Sequence, residues 1–254
     1  MKSTVLITGA SSGIGLACAE RFAAGGWNLM LLARREEKLK TIKLQLEETH
    51  NTQVSVLSCD LREPAIMKSL PDKLLSEKQT IDLLINNAGL AVGVDLIQHG
   101  LVVDWERMID TNIKGLLYIT KAVLPFMIRR GKGHIINIGS IAGKEVYPGG
   151  NVYSATKYAI EGLTKSMRID LLPHNIKVTL LAPGATETEF SLVRFKGDHE
   201  KARDVYRGFK PLTGADVADA AWYCANLPAH VNVNDMLLMP IAQAGANHIY
   251  REEK

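Results

Sequence analysis

Three polar side chains in the middle of the chain have the types and spacing of a proton-transfer site. Ser140 ends an apolar run, Tyr153 follows thirteen residues later, and Lys157 comes four residues after that. On a helix a four-residue step puts two side chains on one face, with Cβ atoms about 5–6 Å apart. Lys157 is therefore expected beside the Tyr153 ring. A phenol ordinarily titrates near ~10, and a fixed positive charge beside it favours the phenolate and lowers that value. A tyrosine poised in this way can give or take a proton near neutral pH. Ser140 is placed to hydrogen-bond the same substrate oxygen. A tyrosine and a lysine at this spacing are common by chance, so the chemistry depends on the elements that carry them.

Those elements alternate along the whole chain. Thr4 to Thr8 reads as a short buried strand, and it runs straight into Gly9-Ala-Ser-Ser-Gly13-Ile-Gly15. Leu16, Ala19, Phe22 and Ala23 then recur at helical spacing until Gly25-Gly26. Strand, glycine loop and helix open a dinucleotide-binding unit. The glycines let the backbone approach a pyrophosphate, which rests on the free N–H groups of the helix N-terminus. Gly9, Ser11, Ser12, Gly13, Ile14 and Gly15 are the candidate cofactor contacts here. An ordinary tight turn also needs glycine, so the loop alone is a modest signal.

A second strand, Asn28 to Ala33, ends in Arg34-Arg35-Glu36-Glu37-Lys38. In such folds this strand end faces the adenosine ribose, where an acid binds the 2′-hydroxyl of NAD and an arginine accommodates the 2′-phosphate of NADP. Arg34 and Arg35 therefore point to NADP. Glu36 and Glu37 suit the first turn of the following helix, where acids complement the dipole. The alternative for the arginines is a solvated helix start. Gln53 to Ser58 is the third strand, ending at Cys59-Asp60-Leu61. Asp60 is read either as an adenine partner or as the cap of a helix beginning near Glu63-Pro64. The fourth strand, Ile81 to Ile85, closes on Asn86-Asn87-Ala88-Gly89, whose small residues let backbone approach a cofactor or simply form a turn. Leu90 to Asp104 reads as a loop. Asp104 is expected to cap one long helix running to about Arg130, with Asn112 half buried inside it. Asn112 would either hold a water in a proton relay or tie helices together.

His134 to Ile138 is the fifth strand, ending at Ser140. Asn151 to about Leu172 is the helix of Tyr153 and Lys157, and Lys177 to Leu181 is the sixth strand. Glu187 to Leu212 has no clear period, and an irregular stretch of that length in a compact domain is usually functional. It is read as a lid at about 185–213, holding short helices. Asp216 to Leu227 is a helix, Met236 to Ile241 a last strand, and Gln243 to Lys254 a polar tail. Alternating strands and helices call for a parallel sheet with helices on both faces, in an α/β, Rossmann-type doubly wound fold. No repeat or linker interrupts it, so 1–254 is expected to form a single domain.

The bulk numbers exclude several classes. The net charge is +3, from 30 basic and 27 acidic residues, with no run of five like charges. Nucleic acid and anionic membrane surfaces are therefore not expected partners, whereas a small anionic molecule is. Cys18, Cys59 and Cys224 lie far apart, with no C-x-x-C pair and no metal spacing. No apolar run approaches the ~20 residues of a membrane span, and Met1 to Ala10 reads as strand and turn rather than leader. A soluble, cytoplasmic enzyme without a metal is expected. The Asp104–Arg130 helix and the helix from Asn151 are apolar on more than one side, so a second face should pack against another subunit.

Taken together these residues resemble the short-chain dehydrogenase/reductase family. Thr8 to Gly15 is similar to its cofactor loop and Asn86-Asn-Ala-Gly89 to its central motif. Asn112, Ser140, Tyr153 and Lys157 match its catalytic four in order and spacing. Pro183-Gly184, with Thr186 and Thr188, resembles its nicotinamide-side loop. The resemblance covers essentially the whole chain. It implies a twisted seven-stranded parallel sheet, a homotetramer, and hydride transfer between NAD(P) and an alcohol or carbonyl. It also implies roles. Ser140 and Tyr153 hold the substrate oxygen, Lys157 lowers the Tyr153 pKa and bonds the nicotinamide ribose, Asn112 holds a water, and Asn87, Ala88 and Gly89 line the cofactor.

A narrower resemblance is to the NADP-dependent 3-hydroxy acid dehydrogenases. It is carried by Asp104-Trp-Glu-Arg-Met-Ile-Asp-Thr-Asn112, Gly149-Gly-Asn-Val-Tyr153, Thr188 to Asp198 and Leu227 to Asn234. It implies serine, allo-threonine, 3-hydroxyisobutyrate or malonic semialdehyde as substrate type, and the loop Pro183 to Thr188 departs from that group by being a residue shorter. Arg194, set among Leu192, Val193 and Phe195, is the candidate for the substrate carboxylate, against a salt bridge to an acid such as Glu189. The tail around His248-Ile249-Tyr250 is expected to reach a neighbouring subunit. A reductase of larger apolar carbonyls, or a non-catalytic NADP-binding module, would share the core motifs.

Overall fold

Side-chain alternation along the strands splits the core into two layers. The computed structural model describes residues 2–77 and 80–252. Met1, Lys78, Gln79, Glu253 and Lys254, which the single-domain reading includes, lie outside the described residues. Seven strands form one parallel sheet: β1 (Thr4–Thr8), β2 (Asn28–Ala33), β3 (Val54–Ser58), β4 (Leu83–Asn86), β5 (Gly133–Ile138), β6 (Ile176–Pro183) and β7 (Asp235–Leu238). Their order is β3-β2-β1-β4-β5-β6-β7, so the winding direction reverses between β1 and β4. In open sheets of this kind ligands bind outside the carboxyl ends of the strands at that switch point.

The helices are α1 (Gly13–Ala24), α2 (Glu36–Thr49), α3 (Ile66–Ser76), α4 (Val102–Ile109), α5 (Gly115–Arg130), α6 (Asn151–Asp170), α7 (Phe190–Arg194), α8 (His199–Asp204) and α9 (Gly214–Ala225). Successive strand side chains point to opposite faces. Val5, Ile7, Leu29, Leu31 and Ile85 meet Phe22, Leu39 and Val217 from α1, α2 and α9 on one face. Leu6, Met30, Leu32, Leu84 and Ile135 meet Leu70, Val123 and Ile160 from α3, α5 and α6 on the other. Both faces are covered, which is why these strands read as continuous apolar runs.

Several expected boundaries move. The helix expected over Asp104–Arg130 begins at Val102, after Leu101. Asp104 does not cap it. Its carboxylate is buried in the first turn and accepts a 2.7 Å bond from Lys196. One wide turn, Asp110–Lys114, of π geometry, interrupts the helix and carries Asn112. α3 begins only at Ile66, after Ala65, so Asp60 is too far upstream to be its cap. The last strand ends at Leu238 rather than Ile241. The polar tail turns back as a two-stranded hairpin, Gln243–Gly245 against His248–Ile249. For Asp104 a partner 92 residues away in sequence outweighed the local capping signal.

One buried polar group is exposed to pH. His134 at the start of β5 is 5% exposed. Its Nε2 meets Thr179 Oγ1 at 2.9 Å, and its Nδ1 has no partner among the described residues. Desolvation, with the Lys177 charge second, lowers its pKa from 6.5 to about 3. Between those values the unfolded chain binds a proton that the folded chain refuses. Stability should therefore fall as pH drops through that window, by at most ~1.4 kcal/mol per pH unit from this group. His134→Gln, which keeps a polar atom near Thr179, should flatten the slope of denaturant-derived stability between pH 6 and 4 by that order. An unchanged slope would assign the acid sensitivity elsewhere.

Candidate active site

The site is built where β1 and β4 end side by side. Thr8 Oγ1 accepts from the backbone N–H groups of Asn87 and Ala88, each at 3.0 Å, and donates to Ile85 O at 3.3 Å. Asn87 Nδ2 donates to Thr8 O at 2.9 Å. These bonds draw the glycine loop and the exit of β4 together. Gly9 has φ of +67°, and a Cβ there would lie 2.9 Å from Asn87 Nδ2. A Cβ on Gly15 would lie 2.4 Å from Gly9 O, so Gly15 serves the close packing of α1 on the loop. α1 starts at Gly13 after an extended Ser12 whose side chain makes no capping bond. Its first N–H groups are left for an anion.

From this loop a cavity of about 600 Å³ runs along the carboxyl edge of the sheet. One end is lined by Arg34, Arg35, Asp60 and Leu61, the floor by Asn87, Ala88 and Gly89, and the far wall by Pro183, Gly184, Thr186 and Thr188. The expected residues are thus brought together, apart from Gly15 and Asn112, which stand behind the wall. Asp60 turns to Arg62 instead of capping a helix. It accepts from the Arg62 backbone at 3.0 Å and from its guanidinium at 2.5 Å, and these bonds hold its carboxyl below the usual range. Arg35 reaches back to the loop, donating from Nε to Ser11 Oγ and from Nη2 to Ser11 O, both at 3.1 Å. Glycine backbone, free helix N–H groups and two arginines after β2 have the chemistry to hold a dinucleotide with a 2′-phosphate.

Ser140, Tyr153 and Lys157 meet at the middle of the cavity. Ser140 follows β5, and its Oγ accepts from Ala142 N at 3.1 Å. Tyr153 and Lys157 lie in α6 on one face. The Lys157 ammonium sits 5.8 Å from the Tyr153 ring centroid and donates to Ile138 O at 2.9 Å. The expected lowering of the Tyr153 pKa is reversed. Burial first, then the neighbouring Tyr147, push the phenol well above its ordinary value of 10.0, while Ser140 and Arg194 work the other way. Burial also lowers Lys157, to about 8. Desolvation outweighs the pairing because the ammonium faces a backbone carbonyl rather than the phenol oxygen. Asn112 is fully buried, not half buried. Its Oδ1 accepts from Leu90 N at 2.9 Å, and its Nδ2 donates to Leu90 O at 2.8 Å and to Thr156 Oγ1 at 3.0 Å. Both amide hydrogens are spent on this tie.

The segment after β6 lies over the cavity. Phe190 packs on Tyr153 with centroids 5.5 Å apart. Tyr206 Oη donates to Thr186 O at 2.8 Å and meets Ser191 Oγ at 2.7 Å. Arg194 Nη2 donates to Tyr147 Oη at 2.8 Å, with the guanidinium 5.1 Å from that ring's centroid. Arg194 Nε is buried without a partner among the described residues. The salt bridge from Arg194 to Glu189 is not formed. Glu189 pairs with Arg35 at 2.9 Å instead.

Sequence reasoning missed Tyr147, Phe190 and Gln243, all of which line the cavity. Gln243 Oε1 accepts from Ala185 N at 2.7 Å and so fixes the turn after β6 from the tail hairpin. The only signal for these was polar or aromatic character in stretches without a clear period, which many surface residues share. Among the described residues no group of His, Cys, Asp and Glu is arranged to hold a metal ion, and no helix is long and apolar enough to cross a membrane.

The parallel sheet with this switch-point cavity and this serine, tyrosine and lysine define a nucleotide-binding oxidoreductase of the short-chain type. The short chain dehydrogenase family model matches residues 3–198, and the chain belongs to that family. The NADP-dependent 3-hydroxy acid dehydrogenase of Salmonella typhi is 45% identical over 243 residues, which cover 95% of this chain and 96% of that protein. Sulfoacetaldehyde reductase 2 of Chromohalobacter salexigens is also 45% identical, over 245 residues and 96% of each chain. Among solved structures, the closed form of serine dehydrogenase complexed with NADP+ superposes with a TM-score of 0.90 at 43% identity, over 98% of this chain and 100% of that one. Serine dehydrogenase from Escherichia coli gives 0.80 at 40% identity, over 95% and 99%.

Proposed function

We propose that the protein transfers a hydride between NADP and a small 3-hydroxy or 3-oxo acid, of the serine, allo-threonine, 3-hydroxyisobutyrate or malonic semialdehyde type. The observation that carries the reading is Arg194, a guanidinium with an unpartnered buried Nε, in the same cavity as Ser140 and Tyr153. A buried unpaired donor on a cation calls for an anion, and the guanidinium fork matches a carboxylate. The relatives named for 3-hydroxy acids and serine support the same class. A sulfonate presents a similar fork of oxygens, and the relative named as a sulfoacetaldehyde reductase favours a second reading with a sulfonate in place of the carboxylate.

When bound, the cofactor supplies or accepts the hydride. The rest falls to the chain. Gly9, Ser11, Ser12, Gly13 and Ile14 hold the pyrophosphate, with Gly15 keeping the loop tight, and Arg34 and Arg35 hold the 2′-phosphate. Asp60, Leu61, Asn87, Ala88 and Gly89 line the adenine and central region. Pro183, Gly184, Thr186 and Thr188 line the nicotinamide side. Ser140 and Tyr153 hold the substrate oxygen. The Tyr153 phenol, kept protonated by burial, gives its proton to the carbonyl oxygen in reduction and takes it back in oxidation. Lys157 bonds the nicotinamide ribose and passes protons, with a pKa near 8 suited to that exchange. Asn112 holds the Leu90 backbone beside Lys157. Residues 185–213 act as the lid.

The three free cysteines support a reducing, cytoplasmic setting. Exposed Val102, Val103, Leu117 and Ile128 along α4 and α5, with Ile169 at the end of α6, support a homotetramer. Light scattering at micromolar concentration should then give four times the chain mass of 27.9 kDa; a monomer would refute the assembly.

Tyr153→Phe should lower turnover by about 10²–10⁴-fold while cofactor binding persists. In the parent, alcohol oxidation should rise with pH from neutral to alkaline, because the raised phenol must lose its proton first. Near-normal turnover in the variant would remove Tyr153 from catalysis. Arg194→Met should cost about 10²-fold in kcat/KM toward serine or 3-hydroxyisobutyrate, roughly 2.7 kcal/mol of transition-state binding. An uncharged secondary alcohol should be handled no worse than by the parent. If both substrates fall together, Arg194 holds the lid and not the ligand.

A further inference from the structure

The Arg35 guanidinium is engaged on two sides. Ser11 fixes its Nε and Nη2 against the glycine loop. Its Nη1 faces a lid carboxylate, 2.9 Å from Glu189 Oε2. Lys38 Nζ lies 3.4 Å from the other oxygen of that carboxylate, and the Ser12 hydroxyl bonds it as well. A guanidinium, an ammonium and a hydroxyl therefore cradle one anionic group at the adenosine end of the cavity. A phosphate has the same kind of oxygen acceptors and more charge, so it suits the same donors better. The side chains of Arg35 and Glu189 are 41% and 47% exposed, so the pair is a weak surface ion pair that a stronger anion can open.

We propose that Glu189 is a specificity-determining residue for the cofactor, its carboxylate standing in for the ribose 2′-phosphate in the Arg35–Lys38 cradle until a 2′-phosphate displaces it. The inference rests on the NADP reading above. A nucleotide without the 2′-phosphate leaves the Glu189–Arg35 pair in place. One that carries it evicts Glu189, gives up part of its affinity in doing so, and frees the start of the lid from the end of β2. Glu189 thereby limits the preference for NADP and links occupancy of the ribose site to the segment that covers the substrate.

The test is calorimetric titration, at low ionic strength, with adenosine 2′,5′-bisphosphate and with adenosine 5′-monophosphate, which lacks only the 2′-phosphate. Glu189→Gln should bind the bisphosphate about three- to tenfold tighter than the parent and the monophosphate within about twofold of it. Glu36→Gln removes the same charge beside Arg35 from a residue paired with Lys40, and should change neither. Hydrogen exchange in residues 187–195 should rise in the parent with the bisphosphate and not with the monophosphate. Unchanged or weaker bisphosphate binding in Glu189→Gln would overturn the inference. So would equal tightening of both nucleotides, the same gain in Glu36→Gln, or a lid insensitive to the bisphosphate. The NADP reading is judged separately, on the parent alone: if the parent binds the bisphosphate no tighter than the monophosphate, that reading fails and the inference with it.

Discussion

The molecule depends on a close approach between the loop after β1 and the turn after β4. Thr8 and Asn87 bind the two chain segments through backbone and side-chain groups, and the spacing leaves no room for a Cβ at Gly9 or Gly15. This contact fixes where α1 begins, and so where its unsatisfied N–H groups point. It also brings Ala88 and Gly89 next to Lys157: a Cβ on Gly89 would stand 3.7 Å from Nζ. A displacement here would move the glycine loop and the surroundings of Lys157 together.

Desolvation is the other organising force. Tyr153 and Lys157 are both driven toward their neutral forms, the phenol upward and the ammonium downward. A nearby charge would normally dominate such a pair, but the Lys157 ammonium is directed to Ile138 O. The two groups share a helix face without yet sharing a hydrogen bond. Arg194 and Tyr147 add a second polar pair in the same cavity, and Phe190 packs on the Tyr153 ring. In such surroundings charge that develops on a substrate oxygen is worth more than in water.

The segment over the cavity has little secondary structure of its own and is held by cross-ties. Lys196 reaches Asp104 on α4, Gly93 N bonds Arg194 O, and Glu189 reaches Arg35 after β2. Only the Glu189–Arg35 tie joins two side chains that are both exposed, and such a surface pair contributes at most ~1 kcal/mol, whereas the Asp104 carboxylate is buried.

The sequence alone was enough for the layer architecture, and it named residues that the fold gathers around one cavity. Apolar runs buried on both faces, glycines between strand and helix, and a tyrosine four residues before a lysine are local patterns whose periods and conformational demands are set by the backbone. Most strands therefore came out within a residue or two, and most of the expected site residues line one cavity. What required the tertiary structure was every property that depends on a partner distant in sequence. Asp104 became an ion-pair partner of Lys196 rather than a cap, and Asn112 a buried tie in a widened turn. Glu189 turned to Arg35 instead of Arg194, and the Tyr153 phenol rose instead of falling. Burial and pairing are sums over neighbours that the fold assembles, 154 residues apart for Arg35 and Glu189, and no local pattern carries that information.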